Sequence, residues 1–558
     1  MAKFQEEKQN LKIEELRKSE AEELAQTLSS KYGLSYIDLT ISPINIEALK
    51  ILSEKDARAF GLAVFDVINK RLKIGILAPN NLKSREMIES LKRKGYQIEL
   101  YMVSQEGLNR AWERYADLHT SVKTRSGALD ISNEGLLSLI KNANSLDSIK
   151  QLVEKNLVSK EINRTSKILE VILAGALSIK ASDIHLEPEE NYVRLRFRLD
   201  GVLTDILNFD NATYKLLLSR IKLLSGLKLN ITSQAQDGRF SIILKDEEIE
   251  IRTSILPGAY AETIVLRILN PKAISVSLEN LGMHPRLLKV LLYEISKPNG
   301  MILTTGPTGS GKTTTLYAFL KKIHQPGIKI ITIENPIEYH LPGIVQTQTD
   351  NKEGYTFLSG LRSALRQDPD VIMVGEIRDS ETASVAINAA LTGHLVFSTL
   401  HTNNAAGTFP RLIDLKINPK VITSAINVAM AQRLVRRLCP KCRKVKKLSG
   451  QERSSVLKIL ESIKEKSYLE NLQTENVWET QGCKECNFTG FAGRVGVYEA
   501  IRTDEKVEGV IQNNPSEREI KKAAENQGLL TMAQDGIIKV FQGVTSIAEL
   551  ERVVELLE

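Results

Sequence analysis

Long apolar segments are absent from this chain of 558 residues. No stretch reaches the roughly 18 apolar residues that a membrane-spanning helix needs. The first segment, MAKFQEEKQNLKIEELRKSEAEEL, carries charges of both signs and lacks the apolar core of a secretory signal. We therefore expect a cytoplasmic protein with no segment inside the bilayer, and docking on a membrane protein stays open.

A strong excess of one charge is also missing. The net charge of +7 is modest for this length, so it does not favour a basic coat for nucleic acid. The densest basic run is QRLVRRLCPKCRKVKK, which contains no acid. This run is either a solubilising surface or a contact for an acidic partner such as a loop of a membrane protein. A nucleic-acid partner is the weakest interpretation, because the run has no aromatic residues on which bases can stack.

Cysteine is scarce, with Cys439, Cys442, Cys483 and Cys486 as the four in the sequence. They form two C-x-x-C pairs with 40 residues between them, and disulfides are not expected in a chain without an export signal. Two such pairs predict a tetrahedral Zn²⁺ site, and four thiolates leave no open position, so the metal is structural. Four buried thiols without a metal are the alternative. We predict a zinc-binding excursion over residues 439–486.

The length predicts roughly three or four domains. Residues 1–115 contain strand and helix patterns that predict a small α/β domain for regulation or docking. Residues 116–160 are polar and broken by Ser, Asn and Gly, which predicts a linker with one amphipathic helix in it. Residues 161–285 contain period-two strands such as NYVRLRFRLDGVL, which predicts an α+β domain. Residues 286–558 alternate short apolar runs with helical patterns and end in a helical part, which indicates a parallel sheet covered on both faces.

The segment GPTGSGKT fits the G-x-x-x-x-G-K-[ST] pattern of a phosphate-binding loop. It follows the strand-like run GMILTT and opens the helical pattern TTLYAFLKKI, which is the context that separates such a loop from an incidental glycine-rich turn. Glycines let backbone N–H groups turn toward phosphates, and the helix N-terminus adds positive charge. We assign ATP binding to Gly306, Pro307, Thr308, Gly309, Ser310, Gly311, Lys312, Thr313 and Thr314. Lys312 would neutralise the β- and γ-phosphates, and the Thr313 hydroxyl would ligate Mg²⁺.

Three further apolar runs end in groups that can do chemistry. IKIITI leads to Glu334, DVIMVG leads to Glu376, and HLVFSTL leads to His401. In an open α/β sheet ligands bind at the carboxyl ends of the strands, so these side chains should gather beside the phosphates. We expect Glu376 to hold Mg²⁺, Glu334 to orient or deprotonate the attacking water, and His401 to sense the γ-phosphate or polarise that water. The alternative for each is a polar strand end that caps a helix or faces solvent.

These motifs resemble those of the secretion ATPase superfamily, specifically the type IV pilus assembly ATPases and type II secretion ATPases. The similarity runs from about residue 30 to the C-terminus. GPTGSGKTTTLY resembles the Walker A motif, TIENPIEY the aspartate box, LRQDPDVIMVGEIRD the Walker B motif and TGHLVFSTLHTN the histidine box. CPKC and CKECNFTGFAGRVGVYE resemble the tetracysteine region, and ASDIHLEP, RFRLDGVL and QDGRF resemble the domain that precedes the motor.

The resemblance implies a RecA-like P-loop motor domain preceded by a PAS-like domain and a small N-terminal domain. It implies a homohexamer in the cytoplasm that lies peripheral to the inner membrane and hydrolyses ATP between the PAS-like and RecA-like domains. This hydrolysis would drive an inner-membrane platform protein of the pilus or pseudopilus machinery. Retraction ATPases of this superfamily generally lack the extra N-terminal domain and the tetracysteine region. We therefore expect a type IV pilus assembly motor, with the type II secretion motor as the alternative and a nucleic-acid-translocating ATPase as a more distant one.

Arginines of the PAS-like domain are implied by the resemblance to reach the nucleotide. The strand NYVRLRFRLDGVL places Arg194, Arg196 and Arg198 on one face, which periodicity alone assigns to solvent. An arginine near the phosphates stabilises the charge of the transition state. The catalytic candidates are Arg196, Arg198 and Arg239, with Arg252 and Arg267 as further candidates.

Two positions depart from the family pattern, and both remove a charge. The aspartate box has Asn335 in place of the usual aspartate, and the histidine box continues with Asn404 in place of aspartate. These changes leave a non-catalytic nucleotide-binding scaffold as a further alternative. We predict that Glu334 alone suffices as the base, while Glu338 supports the loop or the water shell of the metal.

Overall fold

The computed structural model describes residues 21–42, 44–68, 71–115, 133–159, 164–244, 247–270, 276–350, 353–448, 450–470, 472–513 and 515–556. The chain divides into two compact units, Met1–Asp130 and Ile131–Glu558. Among the helices within these ranges, none combines the length and the apolar character that crossing a bilayer requires.

The first unit is a four-stranded sheet with helices. Its strands are β1 (Ser35–Tyr36), β2 (Leu62–Ile68), β3 (Arg71–Ile76) and β4 (Gln97–Met102), in the order β1-β4-β3-β2. Its helices are α1 (Ile46–Leu49), α2 (Glu54–Phe60), α3 (Leu82–Arg93) and α4 (Gln105–Glu113). Helix α3 begins after Asn81, whose side chain accepts the N–H of Lys83, and Gly95 follows it with a φ of 86°. The small α/β fold predicted for this segment is confirmed.

The second unit begins with helices α5 (Asn133–Asn142), α6 (Leu146–Leu157) and α7 (Arg164–Ser178). Two of these helices lie in the range predicted as a linker. Both helices contact α7. Helix α6 approaches α7 so closely that α7 needs a glycine there, since a Cβ on Gly175 would lie 2.8 Å from Ile149 Cγ1. The predicted linker residues 116–132 lie outside the described residues.

A six-stranded sheet follows, in the order β7-β6-β5-β10-β9-β8, with every neighbouring pair antiparallel. Its elements are β5 (Asp183–Pro188), β6 (Val193–Leu199), β7 (Val202–Phe209), α8 (Asn211–Leu224), β8 (Gln236–Leu244), β9 (Glu247–Leu256) and β10 (Thr263–Leu269). The period-two prediction for β6 is confirmed, because Val193, Leu195 and Phe197 are fully buried. The arginines lie on the other face, and each is paired with an acid rather than left to solvent.

The motor domain contains a seven-stranded sheet in the order β13-β12-β14-β15-β11-β16-β19. Its strands are β11 (Gly300–Thr305), β12 (Ile330–Glu334), β13 (Val345–Gln348), β14 (Val371–Val374), β15 (Leu395–Leu400), β16 (Ile426–Leu438) and β19 (Phe491–Arg502). All neighbouring pairs are parallel except β16 with β19. The four apolar runs predicted as central strands are β11, β12, β14 and β15, and all their residues are buried.

Both faces of this sheet are covered, as predicted. Along β11, Met301 and Leu303 pack into one apolar cluster and Ile302 into the cluster on the opposite face. The helices of this domain are α9 (Pro285–Ile295), α10 (Lys312–Ile323), α11 (Phe357–Ala364), α12 (Ser380–Leu391), α13 (Thr408–Asp414), α14 (Pro419–Ala425), α15 (Gly450–Glu461), α16 (Glu505–Ile511), α17 (Glu517–Ala524), α18 (Met532–Phe541) and α19 (Ile547–Glu551). A capping box formed by Ser516 and Glu519 starts α17.

The segment between the cysteine pairs is folded onto the motor domain. It contains β17 (Lys444–Lys447) and β18 (Asn476–Glu479), which pair with each other, and helix α15. Val456, Ile459 and Leu460 of α15 belong to the same apolar cluster as Ile537 and Val540 of α18. The segment is therefore part of the motor core and not a detached loop.

Candidate functional site

The glycine-rich loop connects the end of β11 to the start of α10. Gly306, Gly309 and Gly311 have φ values of 146°, 79° and 90°, which residues with a Cβ rarely adopt. Space is limited as well, since a Cβ on Gly306 would lie 2.7 Å from the carbonyl oxygen of Gln432. The loop can therefore present backbone N–H groups at the N-terminus of α10.

Lys312 is the first residue of α10 and its side chain bends back into the loop. Its Nζ donates to the carbonyl oxygens of Gly306, at 2.8 Å, and Pro307, at 3.0 Å. Burial lowers the pKa of Lys312, and the nearby carboxylate of Glu376 opposes that change. From the neighbouring strand β16, Gln432 Nε2 donates to the Ser310 carbonyl oxygen at 2.7 Å and so braces the loop.

A cavity of about 820 Å³ lies beside this loop. Residues 307–314 line it, together with Glu334, Glu376 and His401 from the carboxyl ends of β12, β14 and β15. The structure thus brings the predicted strand-end groups to one place beside the phosphate-binding loop. The PAS-like part of the unit closes the same cavity with Asp183, Arg198, Asp200 and Arg267.

Glu334 ends β12 with a buried carboxylate that is 2% exposed. Its carboxylate accepts hydrogen bonds from the hydroxyl groups of Tyr317 and Thr332, and from Gln346 Nε2 at 3.1 Å. Burial raises the pKa of Glu334, and these three hydrogen bonds oppose that rise because they stabilise the ionised form. A held carboxylate of raised pKa at the edge of a phosphate site has the properties of a general base.

Glu376 follows β14 and contacts the side chains of Arg378 and His401. Its Oε1 lies 2.5 Å from Arg378 Nη2, and its Oε2 lies 3.3 Å from His401 Nε2. The Thr313 hydroxyl and the Glu376 carboxylate both line the cavity. Oxygen donors of this kind beside a phosphate site fit Mg²⁺, which binds through one or two protein oxygens and the substrate phosphates.

The loop after Glu334 joins the PAS-like part to the motor. The Asn335–Pro336 peptide bond is cis, and Asn335 lines the cavity. Arg252 Nη2 donates to the Ile337 carbonyl oxygen at 2.7 Å, and Arg252 Nη1 lies 3.3 Å from Glu338 Oε2. Glu338 therefore supports this loop through an ion pair. Arg252 of the PAS-like part thus contacts the loop that directly follows Glu334 at the end of β12.

The arginine candidates separate into two groups. Arg198 and Arg267 line the cavity. Arg196 does not line it, and its Nη2 lies 2.5 Å from Glu187 Oε2. Arg239 also lies away from the cavity, with its side chain 72% exposed and 3.6 Å from Glu250. The geometry thus gives no support to Arg196 and Arg239 within this chain, because their cross-strand positions direct them to other partners.

Sequence reasoning missed several residues of the cavity wall. Arg433, Arg494 and Arg552 line it from the motor side, and Asp183 lines it from the PAS-like side. Arg433 lies on β16, next to the phosphate-binding strand, and the apolar run INVAMA before it was the available signal for a strand. Nothing in the sequence around Arg552 marks it, because the last helix reaches the cavity only through tertiary packing.

Asn404 does not line the cavity. Its Oδ1 accepts the N–H of Gly407 at 2.7 Å at the start of α13, and its Nδ2 donates to Glu517 at 2.8 Å. Asn404 therefore braces the turn that leads into α13, and the effect of this position on the charge of the active site stays a prediction.

The fold gives several basic residues of the run around the first cysteine pair a partner. Arg436 Nη2 lies 2.6 Å from Glu549, and Lys444 pairs with Glu479 on the neighbouring strand. Arg443 lies over the Trp478 ring, 4.5 Å from its centroid. The charges of Arg436 and Lys444 are thus partly compensated by acids that lie far away in the sequence.

Four cysteine sulfur atoms come together at the base of the excursion. The Sγ atoms of Cys439, Cys442, Cys483 and Cys486 all lie within 4.8 Å of one another. Three of the separations are 3.9, 3.8 and 3.7 Å. A tetrahedral Zn²⁺ with Zn–S bonds of about 2.3 Å sets its sulfur atoms about 3.8 Å apart, so the cluster fits the metal.

Within the cluster the Cys486 thiol ionises most readily, whereas burial raises the pKa of Cys439 and the pKa of Cys442. Burial opposes ionisation of Cys486, but N–H groups of Cys483 and Gly490 point at its sulfur, at 3.2 and 3.3 Å. Their effect lowers the pKa of the Cys486 thiol to about 7. Metal ligands must be deprotonated, so this sulfur is prepared for a cation.

Comparison with known proteins bears on both units. Residues 159–552 match the family described as Type II/IV secretion system protein, and residues 32–122 match the MshEN domain. The chain is 42% identical over 387 residues to type II secretion system protein E of Aeromonas hydrophila, covering 69% of this chain and 75% of the relative. It is 33% identical over 539 residues to type IV pilus assembly ATPase PilB of Myxococcus xanthus, covering 95% and 91%.

One solved structure carries a likeness of fold. The ATPase DotB of Legionella pneumophila superposes with a TM-score of 0.52 at 23% identity, covering 71% of this chain and 98% of DotB. This likeness supports the predicted arrangement of a RecA-like domain behind a smaller α+β domain. The resemblance expected from the motifs is confirmed, and the matches favour an enzyme over a non-catalytic scaffold. The chain belongs to the Type II/IV secretion system protein family and is an ATP-hydrolysing enzyme.

Proposed function

We propose that this chain is a hexameric cytoplasmic motor that hydrolyses ATP to drive type IV pilus assembly through an inner-membrane platform protein. The observation that carries the choice of system is the extent of similarity. The pilus assembly ATPase of Myxococcus xanthus covers 95% of this chain, whereas type II secretion protein E of Aeromonas hydrophila covers 69%.

The proposed chemistry places ATP in the cavity beside the glycine-rich loop. Backbone N–H groups of the loop and Lys312 would bind the β- and γ-phosphates, as in other P-loop enzymes. Lys312 bonds two carbonyl oxygens of its own loop, which supports a role for its ammonium group beside the phosphates. Thr313 and Glu376 would hold Mg²⁺, which neutralises phosphate charge when bound.

Glu334 is the proposed general base. Its carboxylate is held by three neighbours and lines the cavity, so it can accept a proton from a water molecule that attacks the γ-phosphate. Asn335 adds no charge there, and the position of Glu334 supports a single carboxylate as sufficient. His401 would contact the γ-phosphate or the water, and Arg198 and Arg267 would stabilise transition-state charge from the opposite wall.

The proposed zinc site holds the excursion closed. The two cysteine pairs lie at the beginning and end of residues 439–486, so one ion fixes both ends of a segment that contributes to the motor core. We propose a structural role with no part in hydrolysis, because four sulfur ligands leave no open coordination position.

Type II secretion is the second candidate, and the higher identity of that relative, 42% over 387 residues against 33% over 539, favours it. The experiment that separates the two deletes the gene in its own host and restores it as wild type or as Lys312→Ala. Pilus assembly predicts that surface pili disappear on deletion, return with wild type and stay absent with Lys312→Ala. Retained pili together with loss of secreted enzymes would assign the chain to type II secretion instead.

The hexamer and the absence of a nucleic-acid partner are tested with purified protein. We expect mass photometry with ATP and Mg²⁺ to show six chains in one particle, and saturating DNA to leave ATP turnover unchanged. A large stimulation of turnover by DNA, with salt-sensitive DNA binding, would support a translocase in place of a pilus motor.

A further inference from the structure

A single row of charged residues crosses the six-stranded sheet. Directly opposite positions on neighbouring strands are Arg198 on β6, Asp183 on β5, Arg267 on β10, Arg252 on β9 and Arg239 on β8. Like charges directly opposite each other on neighbouring strands are destabilising. Asp183 lies between Arg198 and Arg267, the two arginines that line the cavity, so its negative charge keeps their two positive charges from facing each other directly.

Asp183 is a buried carboxylate that contacts both arginines. Its side chain is 6% exposed. Its Oδ1 lies 2.9 Å from Arg267 Nε and its Oδ2 lies 3.3 Å from Arg198 Nε. The Ser182 hydroxyl donates to Oδ2 at 2.8 Å and so fixes the carboxylate from a third side.

The atoms used in these pairs differ from those that Arg196 uses on the same face of β6. Arg198 and Arg267 engage Asp183 through Nε, on the inner edge of the guanidinium group. Arg196, which does not line the cavity, engages Glu187 through Nη2, on the outer edge. The outer pair of Nη atoms is the fork that binds phosphate oxygens in a bidentate manner. An acid that holds a guanidinium by Nε keeps that fork directed away from itself. In Arg198 one atom of the fork, Nη1, donates to the carbonyl oxygen of Gly201, another residue of the cavity wall, at 3.2 Å.

We propose that Asp183 is a positioning residue that holds Arg198 and Arg267 by their Nε atoms and directs their Nη forks toward the triphosphate. The proposal rests on the proposed ATP site and adds a residue to it that does not touch the substrate. Asp183 carries the same charge sign as the phosphates, so its role is orientation and not attraction. Its loss should therefore lower kcat while leaving ATP affinity unchanged or slightly higher.

The test compares Asp183→Asn with Glu187→Gln in the full chain. Glu187 is the matched control, because it pairs with an arginine of the same sheet but does not line the cavity. We expect Asp183→Asn to lower kcat about tenfold or more, with the Kd for ATP unchanged or lowered by less than about threefold, and Glu187→Gln to keep kcat within about twofold. Equal kcat for Asp183→Asn and wild type would overturn the proposal.

A mutant cycle separates positioning from a merely structural role. When Arg198 and Arg267 are both replaced by alanine, adding Asp183→Asn should change kcat by less than about twofold, because Asp183 acts through them. A further tenfold loss in that background would contradict the proposal. If Asp183→Asn does not fold, Arg267→Lys replaces it in the comparison, since lysine keeps the charge but has neither Nε nor a fork.

The same assay distinguishes failure of this proposal from failure of the ATP site itself. Lys312→Ala is measured in parallel. Unchanged hydrolysis in Lys312→Ala would reject the assignment of the cavity as the ATP site. Loss of hydrolysis in Lys312→Ala combined with wild-type kcat in Asp183→Asn would reject only the role of Asp183.

Discussion

Replacing Tyr317 by phenylalanine removes one hydroxyl group from the proposed base and leaves the packing in place. Tyr317 is 1% exposed, its ring packs edge-on against Tyr339 with centroids 4.7 Å apart, and its hydroxyl donates to the Glu334 carboxylate. A hydrogen bond to a charged group stabilises it by about 1.5–3 kcal/mol. Because one pKa unit corresponds to about 1.4 kcal/mol, the substitution should raise the pKa of Glu334 further, by about 1–2 units.

The direction of the effect on activity follows from the role of a base. Glu334 must be ionised to accept a proton, so activity is lost as the pH falls through its pKa. Burial already raises that pKa, and Tyr317→Phe should move the acid limb of the kcat profile upward by about 1–2 units. Activity on the alkaline plateau should stay within about threefold of wild type, since the carboxylate is ionised there in both proteins.

The assay is phosphate release at saturating ATP and Mg²⁺ across the pH range, with melting temperatures recorded for each variant. Tyr355→Phe is the matched control, because its hydroxyl accepts from Thr347 at 2.9 Å and does not contact Glu334. That variant should keep the wild-type profile. An unshifted acid limb in Tyr317→Phe, with a normal melting curve, would refute the reasoning that an ionised Glu334 held by Tyr317 limits the rate.

Three further predictions concern the metal and the arginines. Metal analysis should find about one zinc ion per chain, and Cys439→Ser should lose it and lower the melting temperature; a full complement of zinc in the variant would reject the cluster as the site. Arg267→Ala should lower kcat at least about tenfold while Arg239→Ala stays within about twofold, and the reverse order would show that the cavity wall is misassigned. Arg252→Ala should lower kcat about threefold to tenfold and speed hydrogen exchange in the loop that contains Ile337, because the hydrogen bond of 2.7 Å from Arg252 to the Ile337 carbonyl oxygen is removed. Unchanged exchange would show that Arg252 does not support the loop.

The core of the motor domain was predictable from sequence because its central strands are buried on both faces. Such strands must be apolar throughout, and the runs that become β11, β12, β14 and β15 are. The carboxyl ends of those strands then meet at one edge, which is why the placement of Glu334, Glu376 and His401 could be anticipated. Strand β16 was not predicted from the sequence, because its second half carries the arginines of a basic run.

Which of the candidate arginines line the cavity could not be predicted from the sequence. Periodicity assigns Arg196 and Arg198 to the same face of β6, and the family resemblance implies a role at the nucleotide for arginines of this domain without separating the two. Arg198 lines the cavity and Arg196 does not, and this difference depends on the residue that each one faces on β5. Arg198 is opposite Asp183, whereas Arg196 is opposite His185 with Glu187 nearby. Register between distant strands is a tertiary property that one strand's pattern does not contain.

The measurement that tests the central claim most directly is the rate of phosphate release by Glu334→Gln, taken together with its affinity for ATP. Glutamine keeps the size of the side chain and most of its hydrogen bonds but cannot accept a proton from water. We predict that Glu334→Gln binds ATP within about threefold of wild type and releases phosphate at least about 100-fold more slowly. Release at the wild-type rate would contradict the assignment of Glu334 as the base and would move the search for it elsewhere in the cavity.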